Sequence, residues 1–346
     1  VINPRIIADT WASRVGLAVV AAVALLGVIA VAVSIGEMKI PLCTTLGAVS
    51  NKLFGTAFPL SPIQEGIIWD YRFSRALVAA SCGASLALCG AILQALLRNP
   101  LAEPFVLGIS AGASTGAVVV LIVGFGGGLL SLSGGAFLGA VLAVMLVAIL
   151  AAGSGGGGDR IILAGVAGSQ LFNALTSYIV TTSASAEQAR GVMFWLLGSL
   201  GGVRWPDVYL AAPVAVAGLI ICTVHARALD AFTFGVDAAA ALGIPVTRVR
   251  VVLFGLTALM TATMVSLVGS IGFVGLVIPH AARFLVGPSH ARLLPASVMI
   301  GAIFMVLADI ISRIIIPQQV LPIGVVTALF GAPAFAFILY RSRVSA

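Results

Sequence analysis

Long apolar runs follow one another along most of this chain. They lie at about 15–35, 76–97, 105–123, 129–152, 161–180, 208–224, 251–268, 293–311 and 320–339. Each approaches or exceeds the roughly 20 residues that a helix needs to cross a bilayer. A tenth run, at about 273–286, is shorter and is broken by Pro279. The amphipathic stretch near 192–200 is too short to cross. Membrane barrels alternate apolar and polar residues, and these runs do not, so the expected spans are helices. No A-x-A-like site closes the first run, so it is expected to stay as a helix and not to be removed as a leader.

One interruption stands out. Residues Arg98–Gly116 read RNPLAEPFVLGISAGASTG, a charged turn bounded by Pro100 and Pro104 that runs into Gly, Ala, Ser and Thr. Polar, small-residue backbone beside a bilayer core belongs where it lines a cavity or lets helices approach closely. It points to a transport path more than to an anchor.

Composition supports the membrane reading. The 346 residues are 61% hydrophobic and 8% charged, against roughly 25% charged in soluble domains. A soluble chain of this kind would expose very large apolar patches. With ten spans and an inner N-terminus, eleven basic residues fall inside: Arg5, Arg14, Arg98, Arg160, Arg227, Arg248, Arg250, Arg283, Arg292, Arg341 and Arg343. Seven fall outside: Lys39, Lys52, Arg72, Arg75, Arg190, Arg204 and Arg313. This bias favours cytoplasmic N- and C-termini, and nine spans would strand the basic C-terminal tail outside. The net charge of +7 is therefore a topology signal, and no nucleic-acid partner is expected.

Candidate chemistry is sparse. Cys43, Cys82, Cys89 and Cys222 form no C-x-x-C pair and read as small buried hydrophobes. His225, His280 and His290 lack metal-ligand spacing and fall near expected cytoplasmic helix ends. The run Gly153–Asp159 lacks the Gly-Lys-Ser/Thr ending of a phosphate loop and reads as a linker. Neither a catalytic nor a metal constellation is expected, and any ATP use must come from another subunit.

The segment RNPLAEPFVLGISAGA resembles the signature of the FecCD-type permeases, membrane subunits of ABC importers for ferric siderophores, haem and cobalamin. Matching segments follow in order at 194–208, 242–250, 269–295, 308–313 and 321–335. The resemblance covers about Asp70 to Phe337 as one transmembrane domain, taken as 1–346. It implies an all-α polytopic membrane protein with the type II ABC importer permease fold, ten helices per subunit. It also implies a second permease subunit (a homodimer favoured, a heterodimer possible), two cytoplasmic ATPases that hold ATP and Mg, and an external binding protein. This chain itself is expected to bind no cofactor. The implied location is the bacterial cytoplasmic membrane, and the implied cargo is an iron chelate, with cobalamin as the alternative. A proton-coupled secondary transporter is the less favoured reading, because acids within the spans are few.

The resemblance also assigns residues. Arg72 and Arg75, three apart on one helix face, and Arg313 match arginines that receive carboxylates of the binding protein; interfacial snorkelling is the competing reading. Asn99 and Leu101, with Gly158 and Asp159, match a cytoplasmic gate. Ser169, Gln170, Asn173, Thr176 and Ser177 either line the path or bond helix to helix. The 227–250 segment matches the ATPase-coupling element, with Asp237, Ala238, Ala239, Ala240, Ala241, Leu242 and Gly243 as a short helix ended by glycine and Pro245. Asp309 lies four residues before Arg313, so it either pairs along the helix or couples an ion.

Overall fold

The computed structural model describes residues 4–36, 40–124, 131–152, 158–317 and 319–344. Lys39 and the Gly153–Gly157 part of the expected linker lie outside them. Among the described residues, ten helices account for the ten apolar runs. They are α1 (Pro4–Ser34), α2 (Ser74–Leu96), α3 (Ile109–Val118), α4 (Leu132–Ala152) and α5 (Gly158–Ser183). Then come α6 (Trp205–Val224), α7 (Val246–Val268), α8 (Val274–Val286), α9 (His290–Ile314) and α10 (Ile323–Val344). Six are long and apolar enough to cross a membrane: those containing α1, α2, α4, α6, α7 and α9. The apolar stretches of α3, α8 and α10 are shorter, and α5 is long but carries more polar residues.

Short helices fill the gaps. The stretch near 192–200 begins inside a helix, Ala186–Leu196, started by a capping box of Ser185 and Gln188. Two more, Ala226–Phe232 and Val236–Ala241, separate α6 from α7.

α2 runs through the middle. Every residue from Ser74 to Leu96 except Leu77 is buried, and α2 packs against α1, α6, α7, α8 and α9. A helix surrounded on all sides cannot have one apolar stripe; it is apolar all round. It must also be thin, and its sequence, SRALVAASCGASLALCGAILQAL, supplies Ala, Gly, Ser and Cys throughout.

Glycines set the closest crossings. A Cβ on Gly83 would strike the carbonyl oxygen of Gly301 on α9, and one on Gly301 would strike that of Gly83. Gly112 of α3 and Gly139 of α4 meet in the same reciprocal way. Such backbone-to-backbone approach is what small residues make possible in lipid, where little hydrophobic force draws helices together.

Gly83→Val should therefore separate α2 from α9 and lower the thermal transition of the purified protein in detergent, at a cost of about 1–3 kcal/mol or more. Gly27→Val, where a Cβ meets nothing within 4 Å, should leave that transition nearly unchanged.

Candidate functional site

The polar groups collect at the two ends of α2, about 34 Å apart for 23 helical residues. At the first end a wide helical turn, Ile67–Phe73, leads into α2 and carries Arg72, while Arg75 sits in the first turn of α2 itself. Arg313 comes from the last turn of α9. The three arginines that the sequence grouped are thus brought together. They border a cleft of about 420 Å³ with Tyr71 and Gly36.

Their guanidinium groups do not reach freely outward. Arg75 Nε donates to Asp309 Oδ1 at 2.8 Å, and its Nη2 lies 2.7 Å from the same oxygen. Arg313 Nη2 lies 3.2 Å from Asp309 Oδ2. Asp309 is fully buried. Pairing within α9 thus occurs, but the shorter contacts come from α2, which sequence spacing cannot show.

The remaining donors close α1. Arg72 Nη1 donates to the carbonyls of Val33 and Ser34 at 3.1 and 3.0 Å. Arg313 donates to those of Ile35 and Ala32 at 2.7 and 2.9 Å. A helix C-terminus carries unpaired carbonyls and a partial negative charge. Two cations placed there satisfy both, and they balance charge that a single carboxylate leaves over. An aromatic group stands beside them: the rings of Trp69 and Trp205 are 4.6 Å apart, and Arg204 lies 3.9 Å over Tyr71. Amphipathic aromatics of this kind mark a bilayer boundary.

At the other end, Arg98 adopts φ 50, and Asn99 Oδ1 accepts from the Leu101 amide at 2.9 Å, which fixes a tight turn. Leu101 is exposed and Asn99 half-buried. A Cβ on Gly158, at the start of α5, would lie 3.0 Å from the Leu97 carbonyl. Gly158 thus lies beside Leu97, two residues before Asn99, with the Asp159 side chain exposed.

The 227–250 segment packs beside this turn. Asp230, on the first short helix, accepts from the His290 backbone amide at 2.8 Å and also meets His290 Nδ1 at 2.6 Å. It thereby caps α9 from another element. Gly235 (φ 112) turns the chain into Val236–Ala241, and the Arg98 guanidinium lies against it. Ala239 is buried, while Asp237, Ala240, Ala241, Leu242 and Gly243 are exposed and Ala238 is half-buried. Phe234 and Leu242 project, 80% and 72% exposed.

The α5 candidates divide. Thr176 is buried and its hydroxyl meets that of Thr115 on α3 at 2.8 Å, so it ties helix to helix. Ser169 is half-buried beside Gly108. Gln170, Asn173 and Ser177 are exposed and share one helix face.

Two features escaped the sequence reading. Gln94 of α2 accepts from Arg283 Nη1 at 2.7 Å and donates to the carbonyl of Gly275 at 3.3 Å, fastening α2 to α8. Its one signal was a lone amide in an apolar run. The second is a junction of three backbone breaks. Ser199 N donates to Val268 O at 2.8 Å, while Ile323 N and Gly324 N donate to Gly198 O and Leu197 O, both at 3.0 Å. Ser270, Gly272 and Phe273 border a cleft of about 420 Å³ with α10 there.

A central helix, an arginine cluster that caps α1 and a projecting short-helix pair suit a multi-pass transport subunit. The family model "FecCD transport family" matches residues 20–341, and the chain belongs to that family. It is 38% identical to the cobalamin import system permease BtuC of Halobacterium salinarum, over 83% of this chain and 78% of that one. It is also 38% identical to YfhA of Bacillus subtilis, named a probable siderophore transport system permease, over 86% and 87%. An inward-facing structure ascribed to a metal-chelate type ABC transporter superposes with a TM-score of 0.82 at 29% identity, covering 94% of this chain and 99% of that one. The chain is an ABC importer permease, a membrane transport subunit.

Asp309→Asn should leave the Arg75 cation uncompensated and cost about 3–5 kcal/mol, read as a lower denaturation midpoint in detergent. Adding Arg75→Gln should recover part of that loss, because one buried cation fewer is then left without its carboxylate, while Arg313 keeps the α1 carbonyls.

Proposed function

We propose that this permease carries a bulky metal chelate inward by alternating access, and that an iron chelate is the cargo. The observation that carries the path is the exposed polar face of α5, Gln170, Asn173 and Ser177, on a helix within an apolar bundle. Neutral groups of this kind attract a bulky solute weakly, so it can enter and leave. Cobalamin is the second reading, favoured by the cobalamin-named relative at 38% identity, the same as the siderophore-named one.

All ten helices cross the bacterial cytoplasmic membrane, with both termini and the Arg98 turn inside. The α5 face looks onto a second permease subunit, a copy of this chain, across the path. Arg72, Arg75 and Arg313 receive carboxylates of an external binding protein. Asn99 and Leu101 close the inner end against Gly158 and Asp159. Val236–Ala241, with Phe234 and Leu242 projecting, docks on an ATPase that holds ATP and Mg, and this chain holds neither.

Arg72→Gln combined with Arg313→Gln tests the docking site. Glutamine keeps an N–H donor for the α1 carbonyls but removes the charge. Calorimetry should show lost affinity for the binding protein, with the elution volume of the purified variant unchanged. Unaltered affinity in that folded variant refutes the docking assignment. Cargo is read by titrating the binding protein with ferric siderophores and with cobalamin, then by ATP-driven uptake into proteoliposomes. Saturation by cobalamin alone refutes the iron reading.

Ala240→Arg, at an exposed position, should separate ATP hydrolysis from uptake while the protein still folds. Measured ATPase rate and uptake in the same vesicles should diverge, and normal coupling counts against the assignment.

A further inference from the structure

One cavity is distinct from the clefts described so far, although Val246, Thr247 and Arg250 in its lining belong to the end of the 227–250 segment. It opens between α4 and α7 at the Arg98 end and encloses about 590 Å³. α4 lines it with Val147, Ala148 and Ala151, and α7 with Thr247, Arg250 and Phe254. Residues 147, 148 and 151 share one face of α4, and 247, 250 and 254 share one face of α7. Ile161 enters from α5. It stands nine residues, about two and a half turns, before Gln170, hence on the opposite side of α5 from the polar face.

The walls are apolar except for Thr247 and one charged residue. Arg250 borders the cavity, its Nε is buried, and that Nε has no hydrogen-bond acceptor. Among the described residues Arg250 forms no ion pair. Arginine stays charged in proteins and offers a fork of donors suited to phosphate. Arg250 is half-buried, and a buried guanidinium N–H without an acceptor is costly. Beside it, α7 starts at Val246 with no side-chain cap, so its first-turn amides add a partial positive charge. The Thr247 side chain is exposed at the same turn.

The occupant must therefore join an anion to hydrocarbon. Both walls are helices of membrane-crossing length and apolarity, so the cavity opens toward the acyl region. A free anion would leave the apolar walls uncovered, and a neutral lipid would leave Arg250 unmatched. Basic pockets between membrane helices on the cytoplasmic side suit anionic headgroups.

We propose that this cavity binds an anionic phospholipid. Its phosphate meets Arg250 and Thr247 at the start of α7, and an acyl chain lies between α4 and α7. The lipid supplies a counter-charge that Arg250 does not find among the described residues and fills the gap between two helices at this end.

The test uses the full-length chain, alone and assembled with its ATPase subunits. Phosphatidylglycerol, phosphatidylcholine of the same chains, and inorganic phosphate are the probes. Bound lipid is counted by native mass spectrometry, and the thermal transition is followed in parallel. Phosphatidylglycerol should be retained and should raise the transition; the other two should do neither. Arg250→Gln should weaken phosphatidylglycerol retention about fivefold, the worth of one basic residue at an anionic surface. Arg250→Lys, which keeps the charge, should lose less. Ala148→Trp should block retention by filling the cavity with Arg250 intact. Equal retention of phosphatidylcholine, or no effect of Arg250→Gln, overturns the proposal. So does a response to inorganic phosphate alone, which means an anion site without lipid. Retention by the isolated chain that vanishes on assembly also overturns it, since the cavity is then a protein contact.

Discussion

The structure depends on a helix buried on every side. α2 is enclosed by α1, α6, α7, α8 and α9, and such enclosure imposes two demands at once. The helix must be thin enough for five neighbours to reach its backbone. A polar group it carries is costly unless it finds a partner inside the protein, because neither water nor lipid touches it; Ser85 Oγ is one that has none. Alanine, glycine and serine meet the first demand. Arg75 with Asp309 at one end, and Gln94 with Arg283 and the Gly275 carbonyl at the other, meet the second.

The same closure explains why α1 stays attached. Much of its described surface is exposed, so packing alone holds it weakly. Its last carbonyls are taken by Arg72 and Arg313, which approach from α9 and from the turn before α2. One carboxylate, one helix C-terminus and three arginines form a single electrostatic unit spanning three elements. Its charge is distributed over the dipole end of α1 as well as Asp309, which is how three cations tolerate one acid. A partner carboxylate arriving at the adjoining cleft would compete with Asp309 and with α1 for the same donors. Any docking on that surface would thereby be linked to the seating of α1.

Much of this was legible in the sequence because lipid simplifies the rules. Ten apolar runs became ten helices, since backbone polar groups have no other outlet in a bilayer. Arg72, Arg75 and Arg313 fell together because spacing and charge placed them at one membrane level. What stayed hidden was pairing between distant elements. Asp309 could be matched to Arg313 four residues away, but its closer partner, Arg75, is 234 positions distant. Gln94 gave no periodic signal. Thr176 looked like its exposed neighbours on α5, and only the position of Thr115 shows it facing inward. Gly83 and Gly301 were two among 40 glycines; their contact is a property of the crossing, not of either segment.

The junction of breaks at 197–199, 268–273 and 321–324 bears on selectivity. Irregular backbone at membrane depth is tolerated only where its hydrogen bonds are satisfied. Here each break answers another: Gly198 and Leu197 offer carbonyls to the start of α10, and Val268 offers one to Ser199. Those groups are consumed in holding the chain together and are not available to a solute. The cleft beside them, bordered by Gly272, Phe273 and Ala328 among others, is correspondingly apolar. A wall built this way can admit a large ligand and release it, because it holds few fixed polar groups to grip one. Discrimination between chelates of similar bulk needs directed donors and acceptors. Such a cleft would leave that discrimination to groups outside it, which is compatible with 38% identity to permeases named for cobalamin and for siderophores.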